Sequence, residues 1–371
     1  MKICKLSEIA KFKTGKLNSN AAEMNGRYPF FTCAPEPLKI DTYAFDTKAT
    51  ILAGNNAEGN FHIQYFEGKF NAYQRTYIIE TIDNSIVDIR YLYYALKMCL
   101  QHFKLISQGT ATKFLTAKIL SAFELPIPTI EEQQKIAFLL SGLDEKVKTN
   151  ERINNNLEQQ AKAIFSNEFL TLETLPDGWK QASLIDIADY LNGLAMQKYR
   201  PSADETGIPV LKIKELRQGC CDDNSELCSP SIKSEYIIHD GDVIFSWSGS
   251  LLVDFWCGGI CGLNQHLFKV TSKNYDKWFY YAWTKHHLDR FIAVAADKAT
   301  TMGHIKRDEL AKAEVLIPNE ADYNRIGALL QPIYEMIISN RIENKKLAAT
   351  RDTLLPKLMN GKIDMSEVDY E

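Results

Sequence analysis

Five cysteines lie within 42 residues of one another and form the densest group of side chains able to do metal or thiol chemistry: Cys220, Cys221, Cys228, Cys257 and Cys261. Structural zinc sites usually take cysteines in pairs with two intervening residues, and these cysteines are spaced differently. The spacing therefore favours buried free thiols over a metal centre. With eight cysteines scattered over 371 residues, the chain is predicted to be a cytoplasmic protein with reduced thiols.

The familiar catalytic patterns are absent from the sequence. The segment 246–250, Ser-Trp-Ser-Gly-Ser, lacks the first glycine of a nucleophile elbow. No phosphate-binding loop of the Walker type, metalloprotease, deaminase or glycine-rich cofactor motif occurs. No run of eighteen apolar residues predicts a membrane span, and the N-terminus lacks the apolar segment of a secretion signal. We therefore expect a non-catalytic chain that holds no metal or cofactor of its own.

A pattern of about fifty residues occurs twice, 190 positions apart and without a gap. Apolar residues recur at steps of three and four, which is the 3.5-residue period of a coiled-coil seam. Four seam positions carry asparagine: Asn150 and Asn154 recur as Asn340 and Asn344. Such amides either fix the register and antiparallel order of two helices or mark a seam that opens to solvent. The apolar helix-pairing residues are Leu143, Val147, Leu157, Ile164, Ile333, Ile337, Leu347 and Leu354.

Each copy of this pattern is expected to begin with a short helix. Thr129 lies three residues before Glu132, which is the spacing of a capping box. Gly142 aligns with Pro332, and a proline inside a helix costs about 3 kcal/mol. The sequence thus predicts a break after Leu140 and Leu330, followed by a long helix. In the first copy this helix would cover residues 143–169 and measure roughly 40 Å.

The segments before each copy read as two similar compact domains. Residues 1–126 have β-rich runs at 28–32, 49–52, 61–66 and 73–80, a helix at 88–105 and a short helix at 116–122. Residues 176–316 repeat this order weakly. We predict an α+β fold with two α/β domains, 1–126 and 176–316, separated by two long antiparallel helices in a coiled coil. The helical connectors are 127–175 and 317–371, and a pseudo-twofold axis relates the halves.

Three stretches resemble the DNA-specificity subunit of type I restriction-modification systems. They are residues 125–147, LPIPTIEEQQKIAFLLSGLDEKV, residues 175–179, LPDGW, and residues 357–361, KLMNG. The resemblance implies that each variable domain is a target-recognition domain reading half of a bipartite site in double-stranded DNA. It also implies that the helices are spacers and docking surfaces for two methyltransferase subunits, and through them for restriction/translocase subunits. A separation of about 40 Å would place half-site centres about 12 base pairs apart.

Amide, arginine and aromatic side chains at matching places in the two domains are candidate DNA contacts. Amides suit adenine, arginine suits guanine, and lysines suit phosphates. In the first domain they are Asn55, Asn56, Lys69, Tyr73, Gln74, Arg75 and Lys113; in the second, Lys212, Lys214, Arg217, Ser246, Trp247, Ser248, Asn264, Gln265, His266, Lys298, His304 and Lys306. The loops 108–113 and 298–306 suit DNA contact too, but a structural role joining domain to connector is favoured.

The charge distribution leaves a second class of protein open. The net charge is −4, and residues 1–126 are the one mildly basic segment, with 15 Lys and Arg against 11 Asp and Glu. A DNA-binding protein of this charge needs a local basic face or a partner that shares the phosphate contacts. The alternative is a two-lobed coiled-coil scaffold that joins proteins and does not bind DNA.

Overall fold

The computed structural model describes residues 2–297, 305 and 307–365, and the chain divides into two compact units. Unit 1 comprises Met1–Lys146 and Leu347–Glu371, and unit 2 comprises Val147–Lys346. Both units mix helices with sheets. Each unit contains parts of the two longest helices. Unit 1 is made of two separate stretches of sequence, and unit 2 is the stretch between them. No helix within the described ranges is long and apolar enough to cross a bilayer.

Unit 1 is built on a six-stranded sheet with helices packed on one face. Its strands are β1 Lys2–Lys5, β2 Ala10–Thr14, β3 Tyr28–Phe31, β4 Leu38–Ile40, β5 Phe45–Ala53, β6 Asn55–Asn56, β7 Ile63–Ala72, β8 Thr76–Thr81, β9 Lys113–Phe114 and β10 Glu124–Ile127. Its helices are α1 Leu6–Ile9, α2 Ile89–Met98, α3 Leu100–Ile106, α4 Ala117–Ala122 and the first half of α5 Ile130–Phe165.

The main sheet of unit 1 has the strand order β2-β8-β5-β7-β3-β4. Strands β3 and β7 run parallel, and the other neighbours are antiparallel. Strand β1 pairs with β10, and β6 pairs with β9. The helix-covered face buries Leu6, Leu92, Phe103 and Leu120, and the opposite face buries a smaller cluster around Phe70. Burial on both faces fixes the register of the strands, because a one-residue slip would turn those side chains outward.

The expected single helix at 88–105 is wrong, because the structure has two helices there. Asp88 caps α2 by accepting hydrogen bonds from the backbone of Arg90 and Tyr91. Cys99 then ends α2 and starts α3 with φ −87° and ψ 0°. Phe103 in α3 is fully buried against the same core as Leu92 and Leu96. This burial explains why the chain bends at Cys99, where no proline or glycine marks the break.

Unit 2 resembles unit 1 in the order of its elements, with an added helix, α7, between β13 and β14. Its strands are β11 Lys180–Ser183, β12 Asp189–Asn192, β13 Ile208–Leu211, β14 Leu227–Cys228, β15 Ile237–Ile238, β16 Val243–Ser246, β17 Leu252–Phe255, β18 Cys261–Leu263, β19 Leu267–Thr271 and β20 Glu314–Ile317. Its helices are α6 Leu184–Ile187, α7 Ile213–Gln218, α8 Lys277–His286, α9 Leu288–Asp297, α10 Arg307–Ala311 and most of α11 Glu320–Met359.

Two four-stranded sheets form the centre of unit 2, in the orders β12-β19-β16-β17 and β14-β13-β18-β15. Strand β13 runs parallel to β18, as β3 does to β7 in unit 1. Strand β11 pairs with β20, as β1 does with β10. The core gathers aromatic side chains from α8 and both long helices, among them Trp278, Phe279 and Phe165. The two units therefore share these two strand pairings and differ in the number and size of their sheets.

The expected breaks in the long helices are wrong. Helix α5 runs for 36 residues through Gly142, and α11 runs for 40 residues through Pro332. Gly142 is exposed, and Pro332 also faces solvent, so water can satisfy the carbonyl group that loses its partner. Buried residues on the other side of α11, including Leu330 and Tyr334, hold the helix in place. Packing therefore outweighs the local preference for a break.

The expected start of α5 is confirmed. The Thr129 hydroxyl lies 3.3 Å from the Glu132 backbone nitrogen, which donates to it, and the Glu132 carboxylate accepts from the Thr129 backbone at 3.0 Å. These two hydrogen bonds are those of a capping box. Within unit 1, the beginning of α5 and the end of α11 share one core, in which Ile136, Leu140 and Leu358 are buried.

Candidate nucleic-acid interface

Four candidate residues of unit 1 meet at the end of its sheet. In the short pair formed by β6 and β9, Asn55 lies opposite Phe114 and Asn56 lies opposite Lys113. The guanidinium carbon of Arg75 lies 5.1 Å from the centre of the Phe114 ring, which is a cation–π distance. The structure therefore brings Asn55, Asn56, Arg75 and Lys113 together, although they come from three separate stretches of sequence.

The turn between β7 and β8 holds Tyr73, Gln74 and Arg75 through its backbone. The Arg75 carbonyl accepts a hydrogen bond from the Gly54 backbone nitrogen at 2.8 Å. A Cβ atom on Gly54 would lie 2.4 Å from this carbonyl oxygen, so the close approach requires glycine. The Gln74 side chain donates to Asn18 at 2.8 Å. Arg75 is exposed at this turn.

Lys69 shows no such association with the other candidates. It lies on β7 opposite Asp46, and its Nζ lies 4.7 Å from the centre of the Tyr43 ring. A lysine held over an aromatic ring keeps its charge and can still meet a phosphate. It stays a candidate for phosphate contact, apart from the residues at the end of the sheet.

In unit 2, candidate residues meet around Trp247 and His266. The Ser248 hydroxyl lies 3.1 Å from His266 Nδ1, and Gln265 Nε2 lies 3.4 Å from His266 Nε2. The Trp247 indole donates to Asn192 at 3.0 Å, and its ring centre lies 6.3 Å from that of His266. Ser246 and Ser248 are buried, whereas Trp247, Gln265 and His266 are half-buried. This group presents aromatic and polar edges side by side.

The two turns are held by the same backbone hydrogen bonds. Gln74 donates to the Leu17 carbonyl at 2.9 Å, and Gln265 donates to the Leu194 carbonyl at 2.9 Å. The preceding residues, Tyr73 and Asn264, form parallel bridges with the same two leucines. Tyr73-Gln74-Arg75 and Asn264-Gln265-His266 are therefore equivalent turns on one scaffold, and they carry different side chains.

Most of the basic residues near α7 form ion pairs with carboxylates. Lys212 and Arg200 both pair with Glu226, and the hydrogen bond from Lys212 lowers the pKa of that carboxyl group. Lys214 pairs with Asp222 at 3.0 Å, and this hydrogen bond raises the lysine pKa. Arg217 is exposed in the last turn of α7. Of Lys212, Lys214 and Arg217, the first two form ion pairs with carboxylates. The charge of Arg217 is the least neutralised by the described residues.

Of the two polar loops, the structure describes all of 108–113 and, within 298–306, residue 305. Gln108 and Phe114 exchange backbone hydrogen bonds of 3.0 and 2.7 Å, which close the loop that contains Gly109 with φ +106°. Lys298, His304 and Lys306 lie outside the described residues. Ile305 is described, and its backbone nitrogen donates to the Trp247 carbonyl at 3.0 Å.

Sequence reasoning missed two asparagines that touch the candidates. Asn18 accepts from Gln74, and Asn192 accepts from Trp247. Each lies within three residues of a glycine, Gly15 or Gly193. A Cβ atom added to Gly15 would clash with the backbone at Tyr73, and one added to Gly193 would clash with the backbone at Asn264. A glycine followed by leucine within two residues, directly after the second strand of each unit, was the signal that could have located them.

The cysteines of unit 2 are free thiols: Cys228, Cys257 and Cys261 are buried, and Cys220 and Cys221 are half-buried. The Cys221 and Cys261 thiols share a hydrogen bond, which raises the pKa of Cys261. Within the described residues, no group of three or more His, Cys, Asp or Glu side chains is arranged to hold a metal ion.

Four asparagines link the two long helices inside unit 2. Asn340 donates to Asn154 at 2.8 Å, and Asn150 donates to Asn344 at 2.8 Å. Asn154 also donates to the Ile337 carbonyl, and Asn344 donates to the Val147 carbonyl, both at 3.4 Å. The 190-residue shift turns the Asn340–Asn154 bond into the Asn150–Asn344 bond. It likewise turns the Asn154–Ile337 bond into the Asn344–Val147 bond. The partners run in opposite order along the two helices, and Asn150, Asn154 and Asn340 are buried.

The apolar residues expected at the helix seam divide between core and half-buried positions. In unit 2, Ile337 is buried, and Leu157, Ile164 and Ile333 pack against the same core. In unit 1, Leu354 packs against the core that contains Leu140. Leu143, Val147 and Leu347 are half-buried. Buried amides flanked by apolar residues are what coiled-coil seams use to select one register.

The family model described as the type I restriction modification DNA specificity domain matches residues 1–159 and 176–349. The MjaIX specificity subunit of Methanocaldococcus jannaschii is 28% identical over 305 residues, covering 75% of this chain and 70% of that protein. The EcoDI specificity subunit of Escherichia coli is 38% identical over 169 residues, covering 44% of this chain and 37% of that protein.

A solved structure supports the fold. The S subunit of a type I restriction-modification system from M. genitalium superimposes with a TM-score of 0.64 at 15% sequence identity. The match covers 96% of this chain and 95% of that one. Because the family model matches both halves, the chain belongs to the family of type I restriction-modification DNA-specificity subunits.

Proposed function

We propose that this chain reads a bipartite site in double-stranded DNA and presents that site to two methyltransferase subunits. Residues 1–126 and 176–316 read the two half-sites, and the connectors 127–175 and 317–371 dock the partners. Through the methyltransferases, restriction/translocase subunits join the complex. The chain itself catalyses no reaction and holds no cofactor. Membership of the specificity-subunit family supports this proposal.

The observation that carries the proposal is the pair of equivalent turns. Tyr73-Gln74-Arg75 and Asn264-Gln265-His266 share backbone hydrogen bonds and differ in side chains. A scaffold that reads two different half-sites needs this combination, because the backbone sets position and the side chains set base preference. A protein that only joined other proteins would not need polar edges of this kind at equivalent sites in both units.

The paired amides support a pseudo-twofold coiled coil as the connector. Hydrogen bonds between Asn154 and Asn340 and between Asn150 and Asn344 exchange under the 190-residue shift. Such a connector would act as a ruler that sets the spacing between half-sites. Insertion of seven residues into α5, with a matching insertion into α11, is then expected to change the recognised spacing and leave both half-sites unchanged. Unaltered spacing would show that the helices are not the ruler.

Co-expression with the methyltransferase encoded nearby, followed by genome-wide mapping of methylated adenines, tests the function. The expected result is methylation confined to one two-part motif with an unread spacer. Deletion of this chain should abolish the pattern. A purified complex should also bind DNA with an affinity that falls steeply with salt. If the chain binds no duplex at low salt and the methylation pattern survives its deletion, the two-lobed scaffold is the better description.

A further inference from the structure

Arg75 differs from the other arginines of unit 1 in its electrostatic surroundings. Each of the others pairs with a carboxylate: Arg27 with Asp41, Arg90 with Glu145 and Arg351 with Asp144. Among the residues that the structure describes, none accepts a hydrogen bond from the Arg75 guanidinium or forms an ion pair with it. An exposed arginine whose donors all remain unused is available to a ligand with two adjacent acceptors.

The Arg75 side chain is also held in place before any ligand binds. Its guanidinium lies over the Phe114 ring at 5.1 Å, and its carbonyl accepts from the Gly54 backbone nitrogen. Phe114 is itself fixed by the two backbone hydrogen bonds to Gln108. Stacking leaves the outer edge of the guanidinium free and reduces the conformational entropy that binding would cost.

The amides beside Arg75 have less capacity left. An amide reads adenine by accepting with its oxygen and donating with its nitrogen. The Asn56 oxygen already accepts from the backbone of Glu58 at 2.9 Å and of Asn60 at 3.1 Å. The Asn55 oxygen accepts from the Cys33 thiol, and the Gln74 nitrogen donates to Asn18. These contacts make Arg75 the side chain at this end of the sheet best prepared for a two-bond contact.

We infer that Arg75 is a specificity-determining residue that reads one guanine in the half-site recognised by unit 1. Its two outer nitrogens donate to guanine O6 and N7 in the major groove. Lys113, opposite Asn56 on β9, is placed to meet the neighbouring phosphate. In unit 2 the equivalent residue is His266, whose ring nitrogens face Ser248 and Gln265. The equivalent turn of unit 2 therefore offers no arginine for this contact. This inference rests on the proposed function.

Selection from a randomised duplex library tests the inference. The full chain, co-purified with its methyltransferase partner, is compared with Arg75→Lys and Arg75→Ala variants. Arg27→Lys is the matched control, because Arg27 is also exposed in unit 1 but already pairs with Asp41. Affinities are then measured for the selected duplex and for duplexes changed at each single base pair, at two salt concentrations.

The expected result is loss of preference at one G·C pair in one half-site, with the other half-site unchanged. Arg75→Lys keeps the charge but loses the planar fork, so discrimination at that pair should fall by roughly 5- to 150-fold. The Arg27→Lys protein should select the parent sequence.

Three outcomes would overturn the inference and leave the proposed function intact. Both Arg75 variants could select the parent sequence. The lost preference could fall on a pair other than G·C. Arg75→Ala could weaken all duplexes equally and reduce the salt slope by about one, which indicates a phosphate contact. Failure of the parent protein itself to select any two-part sequence would instead refute the proposed function.

Discussion

Arg351 Nη1 lies 2.6 Å from Asp144 Oδ1, and the same carboxylate accepts a 2.7 Å hydrogen bond from the Tyr94 hydroxyl. The 190-residue shift replaces this polar contact in unit 2 with Ala161 and Tyr334, and the Tyr334 ring packs edge-on against Tyr281 at 5.0 Å. Equivalent positions in the two units are thus filled by different contacts: an ion pair in unit 1 and packed aromatic rings in unit 2.

Asp144→Ala is expected to destabilise unit 1 by about 1–3 kcal/mol, because it leaves the Arg351 guanidinium and the Tyr94 hydroxyl without their shared acceptor. Both charged side chains are about one-fifth exposed, so solvent reduces the cost below that of a fully buried pair. Hydrogen exchange of the α2 amides measures the change. Arg27→Ala, at an exposed ion pair, should leave exchange unaltered. Equal protection in both variants would show that the Asp144 contact adds no stability.

Asn154→Ala and Asn340→Ala should each destabilise unit 2 by about 1–3 kcal/mol, because each removes the hydrogen bond between two buried amides. The double variant should cost less than the two single variants together, by about 1 kcal/mol. The five tryptophans all lie between residues 179 and 283, so their fluorescence reports urea unfolding of unit 2. Gln160→Ala, at an exposed amide contact, is the control. Strictly additive costs would argue against a direct Asn154–Asn340 contact.

Gly142→Ala is expected to stabilise the protein by about 0.5–1 kcal/mol. Gly142 lies inside α5, and an added Cβ would meet no atom within 4 Å. Thermal unfolding followed by circular dichroism measures the change. Gly15→Ala provides the contrast, because its Cβ would lie 1.8 Å from the Ala72 carbonyl oxygen and should destabilise unit 1. A lower melting temperature for Gly142→Ala would indicate that the helix needs a flexible point there.

The stability of unit 2 should fall as the pH drops below about 6.5, partly because of His287. Burial lowers the pKa of His287 to about 4, and its Nε2 lies 2.8 Å from the Glu314 carbonyl oxygen. Between the two pKa values the unfolded chain binds the proton more readily, so protonation favours unfolding. This one group should make unit 2 about 2 kcal/mol less stable at pH 5 than at pH 8.

Urea unfolding at both pH values, followed by tryptophan fluorescence, measures the His287 effect. His287→Gln should show a smaller difference between pH 5 and pH 8 than the parent protein. His239→Gln, at an exposed position, should behave like the parent. If the His287 variant keeps the full difference, other groups account for the acid sensitivity.

The sequence predicted most accurately the features that depend on neighbouring residues or on exact repetition. The Thr129–Glu132 cap and the equivalence of Gln74 and Gln265 were both visible in the sequence. The break expected at Pro332 was wrong because apolar packing on the opposite side of α11 supports a continuous helix. The bend at Cys99 had no local signal, since the distant core that buries Phe103 creates it. The contacts of Asn56 with Glu58 and Asn60 depend on a turn geometry that composition does not reveal.

Each unit closes its α/β domain with one pair of antiparallel strands, Lys2–Lys5 with Glu124–Ile127 and Lys180–Ser183 with Glu314–Ile317. The entry and the exit of the domain therefore lie side by side, immediately before a long helix. The start of each long helix is therefore tied to a strand pair and not to the length of the chain between the two strands. On the proposed function, exchange of the segment between the two strands would change the sequence preference and leave the start of the helix in place.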